Sequence, residues 1–223
     1  MSEPARLRAC RVKSQRARDA GVGVVLAGVG ALAACPIAEA NINVEFRPSQ
    51  PFYNVGDVVR VGVYATSDSA SNQLLSAAQI IFDWDIAFLQ LTGNSGIGAV
   101  SLLSSGFPSP DPYGLNEANP PMDGNGLYVA FANFGSPVAA TPSGTLLTTL
   151  VFSALAETAA TPVDILASGG SPLGRTTVFD GTIPNFDVTG TLTGASITIV
   201  PAPGAATFGG VVVCTMLGRR RRR

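Results

Sequence analysis

Residues 41–200 of this 223-residue chain are expected to form an all-β domain, an antiparallel β-sandwich or jelly roll. Three observations carry that expectation. Apolar residues recur with period two in short runs rich in Val, Ile, Phe and Thr. Clusters of Gly, Pro, Asn and Ser close those runs. No window sustains the 3.6-residue apolar period of an amphipathic helix. Eight or so such runs over about 160 residues have the spacing of a two-sheet sandwich.

The runs can be taken in order. Ile42-Asn43-Val44-Glu45-Phe46 alternates apolar with polar, and Arg47-Pro48 ends it. Asn54-Val55-Gly56-Asp57 has turn composition. It leads into 58–65, where Val59, Val61, Val63 and Ala65 share one face. In 78–84 the residues Ala78, Ile80, Phe82 and Trp84 do the same, and 88–91 is a short companion. Beyond a Gly/Ser/Pro-rich stretch, 127–134 and 145–154 alternate again, and 163–167 is a less regular run. Residues 188–200 close the domain with Leu192, Ile197 and Ile199 among threonines. Val59, Val61, Val63, Ile80, Phe82, Trp84, Leu150 and Phe152 are expected to point inward.

The two ends have a different logic. Arg6, Arg8, Arg11, Lys13, Arg16 and Arg18 precede an uncharged apolar stretch, 21–34, and Ala38-Glu39-Ala40 follows. A basic region, an apolar core and a small-residue exit make a secretory signal peptide over 1–40, entering the membrane as a helix and cleaved after Ala40. Leu32-Ala33-Ala34-Cys35 also fits a lipobox, with lipidation of Cys35 as the alternative. At the other end, Pro201-Ala202-Pro203 precedes an apolar run, 205–217, and then Arg219, Arg220, Arg221, Arg222 and Arg223. As a short hydrophobic helix, thirteen residues would span about 20 Å, against roughly 30 Å of hydrocarbon. The segment therefore suits a transient membrane signal, with the arginines held on the cytoplasmic side. The arrangement over 201–223 resembles a PEP-CTERM sorting signal, with Pro-Ala-Pro in place of Pro-Glu-Pro. The resemblance implies an exosortase-type processing enzyme as partner and delivery to the envelope, outer surface or extracellular matrix of a bacterium.

Between these ends the charge is −9, three arginines against twelve carboxylates. Such a surface repels nucleic acid. Cys10, Cys35 and Cys214 all lie outside 41–200, so that domain has no disulfide, thiolate zinc site or cysteine nucleophile. The chain contains no histidine, which removes the Ser-His-Asp triad.

Three segments in order carry a second likeness. Val55-Gly56-Asp57-Val58-Val59-Arg60-Val61 is similar to the opening strand of cohesin-like domains. Phe82-Asp83-Trp84-Asp85 leading to Phe88-Leu89-Gln90-Leu91 resembles a further passage, and Ser143-Gly144-Thr145-Leu146 through Phe152 a third. The resemblance implies a cohesin-like sandwich. The chain departs from it at Asp85, where a proline is common, and in the long insert 95–126.

Four candidate sites remain. Asp83 and Asp85 flank Trp84 and would lie roughly 7 Å apart along one strand, the spacing of an inverting glycosidase pair. Two solvated strand-end carboxylates have the same signature. Asp111, Asp123 and Asn125, near Asn116, Glu117 and Asn119, offer oxygen ligands for calcium, although Asp-Gly and Asn-Gly are also hairpin signals. Trp84, Tyr113 and Tyr128 could make an aromatic platform for a sugar. The glycines of 93–98 lack a following lysine and helix, so they form no phosphate loop. The expected function is that of a non-enzymatic, exported structural or adhesive module, meeting polysaccharide or envelope proteins. A carbohydrate-binding module is the alternative, and a hydrolase using Asp83 and Asp85 the third reading.

Overall fold

The computed structural model describes residues 41–169 and 174–202, and these contain thirteen β-strands and no α-helix. The expected signal peptide with Ala38 and Ala40, the expected tail helix, Pro203 and the five terminal arginines lie outside the described residues. No helix among the described residues is long and apolar enough to cross a membrane.

Strands β1 (Ile42–Pro48), β2 (Tyr53–Asn54), β3 (Val58–Ser67), β4 (Gln73–Trp84) and β5 (Leu89–Ser95) come first. The insert contributes β6 (Ser104–Gly106), followed by β7 (Asn125–Phe131), β8 (Val138–Ala140), β9 (Thr145–Ala154) and β10 (Thr158–Leu166). Strands β11 (Thr177–Asp180), β12 (Thr189–Thr193) and β13 (Ala195–Val200) complete the domain. They build two sheets, β12-β1-β3-β9-β5 and β2-β13-β10-β4-β7-β6, with β8 and β11 also paired to β4.

Each long predicted run is a strand, with two differences. The closing run 188–200 is split into β12 and β13 at Gly194, where a Cβ would sit 2.5 Å from Asp164 Oδ1. The sandwich is also not wholly antiparallel, because β1 pairs with β12 and β13 with β2 in parallel.

Strand β4 is the spine of the larger sheet. On one side it pairs β7 along 77–83 and β8 along 73–75. On the other it pairs β10 along 81–84 and β11 along 75–79. The Thr176 hydroxyl bridges the gap between β10 and β11, accepting from Ile81 N at 3.0 Å and donating to Leu166 O.

All eight residues expected to point inward are buried. Rings on the two sheets interlock across the core. Phe82 stacks on Trp84 at 5.5 Å, Trp84 meets Phe152 of the smaller sheet edge-on at 5.7 Å, and Phe46 meets Phe82 at 6.1 Å. Such pairs add about 0.5–1.5 kcal/mol each beyond area burial.

Candidate functional site

Alternation on β4 and β7 leaves Gln79, Ile81, Asp83, Leu127, Val129 and Phe131 on the outer face of the larger sheet. Several of these are apolar, and a polar-out strand would not carry them. The insert explains them. Ile81, Leu115 and Leu127 form a second buried cluster, with Tyr113, Val129 and Leu166 packed against it. Both faces of β4 are therefore covered at its centre.

Asn116, 2% exposed, pins the insert down. Its Nδ2 donates to Pro108 O and Leu127 O, both at 2.8 Å, and its Oδ1 accepts from Leu127 N at 2.8 Å. The side chain thus satisfies both backbone polar groups of Leu127, much as a neighbouring strand would. Asp111 orders the preceding turn by accepting from Tyr113 N and Asn116 N. The Tyr113 hydroxyl reaches Gln79 Oε1 at 3.4 Å.

The outer face carries two depressions. One of about 470 Å³ lies beside edge strand β6, among Gln79, Phe107, Pro112, Val129 and Phe131. The other, about 460 Å³, is bordered by Asp83, Asp85, Asp123, Asn125, Leu166 and Ser168. A third hollow, about 440 Å³, lies at the end of the sheet where β4 begins and includes Leu103, Phe131, Phe134 and Asp180.

The sequence-expected residues fall as follows. Asp83 and Asp85 border the same depression. Asp83 stands directly across from Asp164 of β10, and its carboxyl is pushed up by burial and then by the Asp164 charge. Asp85 opens the next turn, its Oδ1 accepting from Ala87 N at 2.8 Å. Asp123 and Asn125 lie together in the second depression, where Asn125 Nδ2 donates to Asp123 Oδ2 at 3.2 Å. Asp111 lines neither of the two outer-face depressions, and both its oxygens are taken by backbone amides. Among the described residues no group of three or more carboxylates is arranged to hold a metal ion. The aromatic platform does not form, since Trp84 and Tyr128 are in the core and only Tyr113 is at the surface. Pro201 and Ala202 emerge exposed after β13.

Sequence reasoning missed Asp164 and Phe134, and it set Asn116 only beside a calcium site. Asp164 was visible as the polar member of Val163-Asp164-Ile165, but its opposition to Asp83 depends on strand register. Asn116 sits in a loop with no periodic signal.

No protein-family model matches the chain, and no curated protein matches it in sequence. Solved structures do match in shape. A cohesin module from a Clostridium perfringens family 33 glycoside hydrolase overlays with a TM-score of 0.53 at 9% identity, covering 73% of this chain and 99% of that module. A Clostridium thermocellum cohesin–dockerin complex gives 0.49 at 11% identity, over 71% and 99% of the two chains. The sixth cohesin of Acetivibrio cellulolyticus scaffoldin B, in complex with a Cel5 dockerin, gives 0.48 at 17%, over 72% and 99%. The domain has a cohesin-like β-sandwich fold.

Proposed function

We propose that this chain is an exported, non-catalytic module that holds a protein partner at the bacterial envelope or in the extracellular matrix. The observation that carries the reading is the cohesin-like sandwich itself. The chemistry of its surface supports a binding role over a catalytic one. Two of the candidate carboxylates have structural duties: Asp111 orders a turn and Asp85 opens another. The basic-apolar leader and the arginine tail support export and exosortase-type sorting at Pro201-Ala202-Pro203, with transient membrane insertion of 205–217. A carbohydrate-binding role is less well supported, because two of its three aromatic candidates are core residues.

The test has two parts in the native host. Intact-mass analysis of envelope material should show a chain beginning at Asn41 and shortened near Pro203. Photo-crosslinkers placed at exposed positions distributed over both sheets should trap a discrete protein adduct. A protein retained whole in the cytoplasm, or one giving no adduct from any position, would defeat the reading.

A further inference from the structure

The end of the larger sheet where β4 begins carries apolar side chains that the domain leaves uncovered. Phe134 is fully exposed, at 105% of its reference area. Beside it in the same hollow Leu103 is 65% and Phe131 48% exposed. A lone exposed apolar residue needs no explanation, but a cluster at the rim of a hollow marks an interaction surface. The local backbone presents Phe134 deliberately: Asn133 and Ser136 close a tight turn, Ser136 N to Asn133 O at 2.9 Å, with Gly135 at φ +77°. Phe134 sits within this turn with its ring exposed.

We infer that this surface is the docking site for a protein segment that pairs an apolar side chain with a neighbouring lysine or arginine. The inference rests on the protein-partner reading above and adds its location and chemistry. Charge selects the occupant. Among the described residues Asp180 is the only charged one lining the hollow. Burial works against its ionised form, but hydrogen bonds from the Thr182 hydroxyl and the amides of Thr182 and Ile183 outweigh it and hold the carboxyl below its usual range. Among the described residues Asp180 forms no ion pair, so the hollow offers a carboxylate to an incoming cation. Arg175 is paired with Asp187 at 3.3 Å and Arg47 with Glu45 at 2.7 Å. A second copy of a domain with charge −9 would bring repulsion, and so would an anionic lipid surface.

Geometry agrees. From Ala77 at the hollow, seven residues of β4 lead to Trp84, level with Val163. Five residues of β10 then lead to Thr158, beside Ile199 and the root of the tail. At about 3.3 Å per residue the two ends are roughly 40 Å apart. The hollow thus lies at the end of the sandwich away from Pro201.

The experiment uses the full chain and three probes: a short peptide alternating Phe with Lys, its Phe/Glu counterpart, and phosphatidylglycerol vesicles. The Phe/Lys peptide should bind, and Phe134→Ser should weaken it at least tenfold with no change in melting temperature. Leu103→Ser should act in the same direction. Asp180→Asn should flatten the salt dependence, and the Phe/Glu peptide should not bind. Failure of the Phe/Lys peptide to bind the wild type, or equal binding by Phe134→Ser, overturns the inference. Vesicle binding lost in Phe134→Ser would assign the surface to lipid, and a dimer dissociated by it would assign it to a second copy. Either result overturns a basic protein partner here. Adducts trapped from other faces of the domain in the native envelope would leave the broader reading standing alone.

Discussion

Replacing Asp83 by Asn should stabilise the domain, and the size of the gain can be worked from the strand register. Asp83 and Asp164 are directly opposed on neighbouring antiparallel strands. Cβ atoms in such pairs lie about 4.5–5.5 Å apart, and like charges there cost roughly 0.2–1 kcal/mol. Asp83 is half-buried and Asp164 exposed, which places the pair near the solvent end of the dielectric range. The folded-state pKa of Asp83 is raised, by burial first and by Asp164 second. The native state therefore holds the proton more tightly than the unfolded chain. The penalty is complete at neutral pH and is relieved as pH falls through the folded value. At pH 7 and low salt, Asp83→Asn should add about 0.5–1 kcal/mol, or a few degrees in melting temperature. Urea unfolding followed by the fluorescence of Trp84, the sole tryptophan, reads this directly. The gain should shrink in 1 M salt and vanish near pH 3. Asp164→Asn should give a similar gain that does not add to the first, since both relieve one repulsion. Asp85→Asn should give none. Destabilisation by Asp83→Asn, a gain that survives at pH 3, or full additivity with Asp164→Asn would refute the pairing argument.

Three further outcomes are expected. Asn116→Ala strands both backbone groups of Leu127 and the carbonyl of Pro108, and should cost about 3 kcal/mol in equilibrium unfolding; a loss under about 0.5 kcal/mol would show that the insert holds without its pin. Millimolar calcium should move the melting temperature by less than about 1 °C, because Asp111 is committed to amides and stands apart from the hollow of Asp123 and Asn125. A saturable rise would restore the oxygen-ligand reading. Deleting Arg219 to Arg223 should release unprocessed protein to the periplasm or medium with an unchanged melting temperature, measured by fractionation and thermal scanning, and normal envelope placement would oppose the sorting argument.

The long strands were legible because burial on one face writes a period of two into the sequence, as in Val59, Val61, Val63 and Ala65. Strands β2, β6, β8 and β11 run for only two to four residues, too short for any period to register. The parallel pairings of β1 with β12 and β2 with β13 join segments more than a hundred residues apart. Orientation at such range is a property of topology and leaves no local mark. The same holds for Asp83. Its neighbour in sequence, Asp85, leaves the strand and starts a turn, while its neighbour in space comes from β10.

Period two establishes which residues share a face, but not that the other face meets water. The sequence did hold a sign that it does not: Ile81, Leu127 and Val129 are apolar at outward positions. An insert carrying Tyr113 and Leu115 is the matching half, and the structure joins them. The two observations are legible only together, since neither the strand nor the loop is amphipathic without the other. That pairing also gives the uncovered end its meaning. Outward apolar residues at the centre of this sheet are covered by the insert around Tyr113 and Leu115. Phe131 and Phe134 stay exposed, as does Leu103 of the insert itself, at a hollow that Asp180 also lines. Burying them is worth about 25 cal/mol per Å² of apolar surface removed from water. The chain supplies a cover for one half of the face, and the other half presents the same kind of surface to whatever second protein can close it.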